Sequence, residues 1–146
     1  RAGIRFIQFA VRPEKDAADI DEYLKSLKPV PSPRLVRKNG KLTLSESAER
    51  GRKVFEKANC AMCHSGEYFT NMKKFDVGTG KGMEEGTAYD TPTLIESWRT
   101  APYLHDGRAA TMKEVITKFN SKGRHGNTKG LTDREINDLV EYVLSL

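Results

Sequence analysis

Apolar residues recur at helical spacing in several stretches of this chain. Ile20, Tyr23, Leu24 and Leu27 fall three and four residues apart, which places them on one face of a helix. They predict a helix over 13–27, with Pro13 in its first turn, where the missing N–H costs nothing. A second helix is expected from about Ser45 to Ala58, with Val54 and Phe55 as its apolar residues and Thr43 and Glu46 as a capping box. Thr91-Pro92 opens a short helical turn through Trp98, and Thr111 with Glu114 opens a helix to about Asn120. Gly123 lies beyond that end, where glycine suits a stop. Thr132 and Glu135 open the last helix, Asp133 to Leu146, whose buried stripe is Ile136, Leu139, Val140, Val143 and Leu144.

The intervening segments have no such period. Residues 28–42 carry Pro29, Pro31 and Pro33 among lysines and arginines, with Asn39-Gly40 as a turn signal; they read as a linker or an extended strap. Residues 65–92 are loop-like and rich in glycine (Gly66, Gly78, Gly80, Gly82, Gly86). No segment reads as a convincing strand. The expected fold is all-α with long loops, organised as a helical tail over 1–28, a Pro/Lys/Arg-rich linker over 29–44 and a helical domain over 45–146. Asp21–Leu27 (DEYLKSL) also resembles Val140–Leu146 (VEYVLSL), a short match of a kind that amphipathic helices often share.

Chemistry enters at Cys60-Ala61-Met62-Cys63-His64, a C-x-x-C-H pattern that holds both cysteines of the chain. This is the spacing of covalent haem attachment. Two thiols on one helical turn can each join a vinyl group of the same porphyrin, and the adjacent imidazole is then held under the iron. Its second ring nitrogen is expected to donate to a backbone carbonyl. A redox dithiol would want a βαβ setting. A zinc site would need further ligands, and only His105 and His125 remain beyond His64. One covalent haem c is therefore expected, and the long glycine-rich loop has a cofactor edge to wrap.

Composition adds little that conflicts. Hydrophobic residues make up 37% and charged residues 31%, a lean core that a haem plate would supplement. The net charge of +5 is spread along the chain. It suits a solvated surface or a basic face for an acidic electron-transfer partner, and no nucleic-acid motif accompanies it. No apolar run is long enough to span a membrane. The chain begins at Arg1 without an initiator Met or signal peptide, so a periplasmic, extracytoplasmic site would place the export signal upstream.

Gly51 and Phe55 match the G-x-x-x-F pattern of cytochrome c, in which the glycine lets the first helix cross the last one closely; Leu139 and Tyr142 are placed to meet it. Thr91-Pro92-Thr93-Leu94, followed by Trp98-Arg99-Thr100-Ala101-Pro102-Tyr103-Leu104-His105-Asp106-Gly107, resembles the bacterial di-haem cytochrome c peroxidase family. The likeness covers roughly residues 45–146, that family's C-terminal haem domain. It implies an electron-transfer haem that takes electrons from a small redox protein and passes them to an upstream haem domain of the same parent chain. Residues 1–28 would be the tail of that upstream domain.

The resemblance does not supply the sixth iron ligand. Where the family has a methionine or a tyrosine, this chain has Phe119, which cannot bind iron. His125, Met72, Met83 or an open position remain, and Met112 is better suited to the core. An open site would allow peroxide to react at this haem, with His125 or Glu84 as acid–base groups. His105, Arg99 and Arg108 are expected near the haem edge, the arginines pairing with propionates. Trp98 is expected as a packing residue.

Overall fold

The computed structural model describes residues 13–146. The expected tail over 1–28 is thus described only from Pro13 onward, and residues 1–12 lie outside the described residues. In chain order the elements are α1 (Glu14–Ser26), a hairpin of β1 (Val36–Lys38) and β2 (Lys41–Thr43), α2 (Glu46–Lys57), a second hairpin of β3 (Lys74–Phe75) and β4 (Tyr89–Asp90), α3 (Met112–Ile116) and α4 (Asp133–Val143). The molecule is mostly helical, as expected. The two hairpins correct the expectation of no strands. In the first, Asn39 and Gly40 take left-handed backbone at φ 51° and 77°, as a two-residue hairpin turn requires, and Arg37 pairs with Leu42. Charged side chains hide this ladder from a hydrophobic-period reading.

The centre of the fold is the crossing of α2 and α4. Gly51 sits at the contact: a Cβ there would lie 1.9 Å from the Asp138 carbonyl oxygen and 2.8 Å from the Tyr142 Cβ. Only glycine permits this approach, which accounts for its place in mid-helix. Leu139 is 1% exposed beneath the crossing, and Phe55 meets Tyr142 edge-on with ring centres 5.3 Å apart. Beside it the buried Asp138 carboxylate accepts two hydrogen bonds from Arg50, both at 2.8 Å, and one from Ser47 at 2.5 Å. Val54, Val115, Ile116, Ile136 and Val143 complete the core, and Met112 joins them.

Caps set the helix starts. The Thr111/Glu114 and Thr132/Glu135 boxes both form. The box expected at Thr43 and Glu46 does not. Thr43 is committed to β2, and the Ser45 side chain accepts from the Ala48 N–H instead, the reach of an N-cap oxygen to the third helical residue. Pro13 is likewise the cap of α1 rather than a residue of its first turn. The α3 helix is shorter than expected; its continuation, Lys118–Asn120, is a 3-10 turn. The Pro-rich segment lies against the end of α4, where Ser32 donates to the Leu144 carbonyl at 2.6 Å and Arg34 pairs with Glu141 at 2.7 Å. Among the described residues no helix is long and apolar enough to cross a membrane.

Candidate haem site

Helix α2 ends at Lys57, and Asn59 turns the chain with a left-handed φ of 59°. This step carries Cys60–Met62 into a 3-10 turn. Cys63 and His64 both donate their backbone N–H to the Cys60 carbonyl, at 3.2 and 2.9 Å. The two thiols and the imidazole are thereby held on one turn. Both cysteines are free. Burial pushes the Cys60 thiol up to about 11 and raises that of Cys63, whereas a redox dithiol needs a lowered value.

The His64 ring is buried, and its Nδ1 lies 3.2 Å from the Phe69 carbonyl, to which it donates. Burial lowers its pKa, and backbone carbonyls of Phe69 and Pro92 work in the opposite direction. The bond fixes one tautomer and leaves the Nε2 without a proton.

His125 lies beside it. The two ring centres are 6.2 Å apart and the planes are tilted by 39°. The His125 Nδ1 is buried without a hydrogen-bond partner. Burial first, and then the charge of His64, lowers the His125 pKa to about 4, so the ring is neutral and has a lone pair to give. A metal bound between two imidazole nitrogens at about 2.0 Å each would separate the ring centres by about 6 Å. The observed spacing fits one such ion. Among the described residues no cluster of three or more His, Cys, Asp or Glu side chains is arranged for a metal. Two imidazoles suit an iron whose other ligands come from a porphyrin.

The loop that carries His125 abuts the attachment turn. Asn127 donates to the Ala58 carbonyl at 2.8 Å, and a Cβ at Gly126 would lie 3.5 Å from the Cys60 Sγ. The loop is held from its other side by the buried Asn120, whose amide bonds His125, Gly126 and Thr128. Asn120 was not singled out from sequence. Its signal was present: it follows Ile116 by four residues and so interrupts a buried stripe with a polar side chain.

The other expected site residues lie elsewhere or are otherwise engaged. Met72 is 81% exposed, and Met83 is fully exposed; His125 is the candidate ligand whose ring lies next to that of His64. Phe119 packs on the core, with the Lys118 ammonium 5.1 Å above its ring. Arg99 pairs with Glu96, and Arg108 with Asp106. The His105 Nε2 lies 3.1 Å from a Glu84 carboxylate oxygen, and Tyr89 stacks on the ring with centres 4.1 Å apart. Trp98 packs against the core, and its Nε1 is buried without a partner. A cavity of about 400 Å³ opens beside Phe119 and Asn120, lined also by Gly78, Lys81, Arg108 and Lys118.

The family model for cytochrome c matches residues 48–146. The chain belongs to the cytochrome c family. A cytochrome c domain carries a c-type haem, and the matched residues include Cys60, Cys63, His64 and His125. This cytochrome c is 34% identical over 125 residues to the methylamine utilization protein MauG of Methylophilus methylotrophus, covering 70% of the chain and 37% of that protein. It is 33% identical over 88 residues to the cytochrome-c peroxidase IdrP1 of Denitromonas iodatirespirans, covering 56% of the chain and 21% of that protein. These relatives uphold the resemblance to di-haem cytochrome c peroxidases read from the segment around Trp98–Gly107. The hydrazine synthase structure of Kuenenia stuttgartiensis superposes with a TM-score of 0.72 at 30% identity, over 85% of this chain and 52% of that one. The chain thus spans well under half of the length of the MauG and IdrP1 relatives.

Proposed function

We propose that this cytochrome c domain relays single electrons through one haem closed on both sides by histidine. When bound, the haem supplies one-electron iron chemistry. Cys60 and Cys63 would hold it through thioether bonds, and His64 and His125 would be the two protein ligands to its iron. The observation that carries the reading is the pair of imidazoles, His64 buried and His125 half-buried, with ring centres 6.2 Å apart. A site filled by two histidines exchanges electrons without binding substrate at the metal.

In the parent protein the domain would hand electrons to an upstream haem domain. The exposed apolar face of α1, with Ile20, Tyr23 and Leu24 and with Leu27 just past its end, supports this organisation. The net charge of +5 suits an acidic small redox protein as donor, and the site of action would be periplasmic. Arg99, His105 and Arg108 would border the haem edge while held by their carboxylate partners.

The test is stopped-flow kinetics on the holoprotein, with haem content measured first. One haem per chain, fast reduction by hexaammineruthenium(II) and no peroxide consumption are expected. Peroxide turnover by the domain, at a rate matching its haem reoxidation, would assign it instead to peroxide chemistry at an open iron.

A further inference from the structure

Asn120 follows Phe119, the residue that stands where a ligand was expected from the family pattern, and precedes His125 by one loop. Its side chain is buried, and all of its polar capacity is spent on that loop. The Asn120 Oδ1 accepts from the His125 backbone N–H at 2.9 Å. Its Nδ2 donates to the His125 carbonyl at 2.8 Å, to the Gly126 carbonyl at 3.3 Å and to the Thr128 Oγ1 at 2.9 Å. Thr128 in turn donates to the Ile116 carbonyl at 3.1 Å, which ties the loop to the end of α3. Both backbone polar groups of His125 are thus held by one side chain, while its Nδ1 has no hydrogen bond to hold the ring. Most histidine ligands are oriented through that second nitrogen. Here the orientation must come through the backbone.

We infer that Asn120 is the positioning residue for the sixth ligand: it holds His125 on the iron and so keeps the iron closed to added ligands. The inference rests on the reading of His125 as a ligand. It assigns this chain a particular solution to the presence of phenylalanine at position 119. The ligand comes from a loop six residues further on, and the neighbouring asparagine immobilises that loop. Loss of the clamp raises the fraction of time that His125 is off the iron, without removing any ligand from the sequence.

The experiment is cyanide binding to the ferric holoprotein, followed by stopped-flow absorbance. In a protein with both positions filled, cyanide binds only after the sixth ligand leaves, so the rate reports that opening. Asn120→Ala is expected to bind cyanide about tenfold faster or more than the wild type, about what one lost net hydrogen bond allows. Thr128→Val removes one of the amide's partners at nearly constant shape and should give a smaller rise. Val115→Ala, a core variant with no tie to the loop, should lower the melting temperature and leave the cyanide rate unchanged. If Asn120→Ala yields no holoprotein, the rate of Thr128→Val decides the matter.

Wild-type rates in Asn120→Ala and Thr128→Val would overturn the clamp. The reading beneath it fails differently: a wild-type protein that is high spin, or a His125→Ala protein that keeps the wild-type spectrum, removes His125 as a ligand and the clamp with it. A low-spin wild type, a high-spin His125→Ala and an unchanged Asn120→Ala would discard the clamp alone.

Discussion

Helices α1 and α4 end in similar seven-residue segments, identical at four positions, and have opposite fates. Tyr142 and Val143 of α4 are 6% and 5% exposed, whereas Tyr23 and Leu24 at the matching positions of α1 are 64% and 57% exposed. Both segments encode an amphipathic helix, and both form one. What differs is the partner. Helix α4 crosses α2 at Gly51, where the backbones come close enough for the Phe55 and Tyr142 rings to interlock. Among the described residues α1 meets no such surface, and Ala17 is its one buried residue. A hydrophobic stripe specifies a helix and a face, and the complementary surface decides whether that face is a core or remains available for another domain.

Substitutions can break this contrast, and the largest effect belongs to Gly51→Ala. The added methyl would fall 1.9 Å from a backbone oxygen, so the helices must separate. A loss of at least about 3 kcal/mol is expected in denaturant unfolding of the holoprotein, at or beyond the usual limit for overpacking. Leu139→Ala should cost about 3 kcal/mol through lost burial and the cavity left behind. Leu24→Ala, the same chemical change on the exposed stripe, should stay within about 0.5 kcal/mol. Equal losses at Leu24 and Leu139 would show that the α1 face is packed in solution.

Between these extremes lies the Asp138 cluster on the α4 side of the crossing. Asp138→Asn should cost about 2 kcal/mol, since the hydrogen bonds it weakens involve charged groups. Arg50, then Ser47, holds the Asp138 pKa below the ordinary carboxylate value. A lowered folded value means that the stabilisation is complete above the unfolded pKa, about 3.9, and is lost as pH falls through the folded value. Acid unfolding curves should therefore flatten in Asp138→Asn, and an unchanged acid limb would place the titrating group elsewhere.

Much of the fold was legible because its signals are local or nearly so. The two capping boxes at Thr111 and Thr132 need only four residues each. The Gly51–Phe55 pair announced a close crossing because a mid-helix glycine has a cost that something must offset. The haem turn is likewise contained in five residues. The first hairpin was not legible, since Val36–Thr43 alternates no apolar face and only Asn39-Gly40 marked it. The cap at Ser45 was displaced from Thr43 by strand pairing, which a helix signal does not report. At the site, His64 followed from its motif, but the proximity of His125 depends on a loop folding back on Ala58 and Cys60 across some sixty residues of sequence. The partners of Arg99, His105 and Arg108 are carboxylates of loops and turns whose choice has no sequence signature.

The most direct test of a haem closed by two histidines is the ferric and ferrous optical spectrum of the holoprotein beside that of His125→Ala. A low-spin wild type without the thioether charge-transfer band, converted to high spin by His125→Ala, is the expected result. A thioether band in the wild type would move the ligand to a methionine, and a high-spin wild type would mean an iron open to peroxide; either would contradict the assignment of His125.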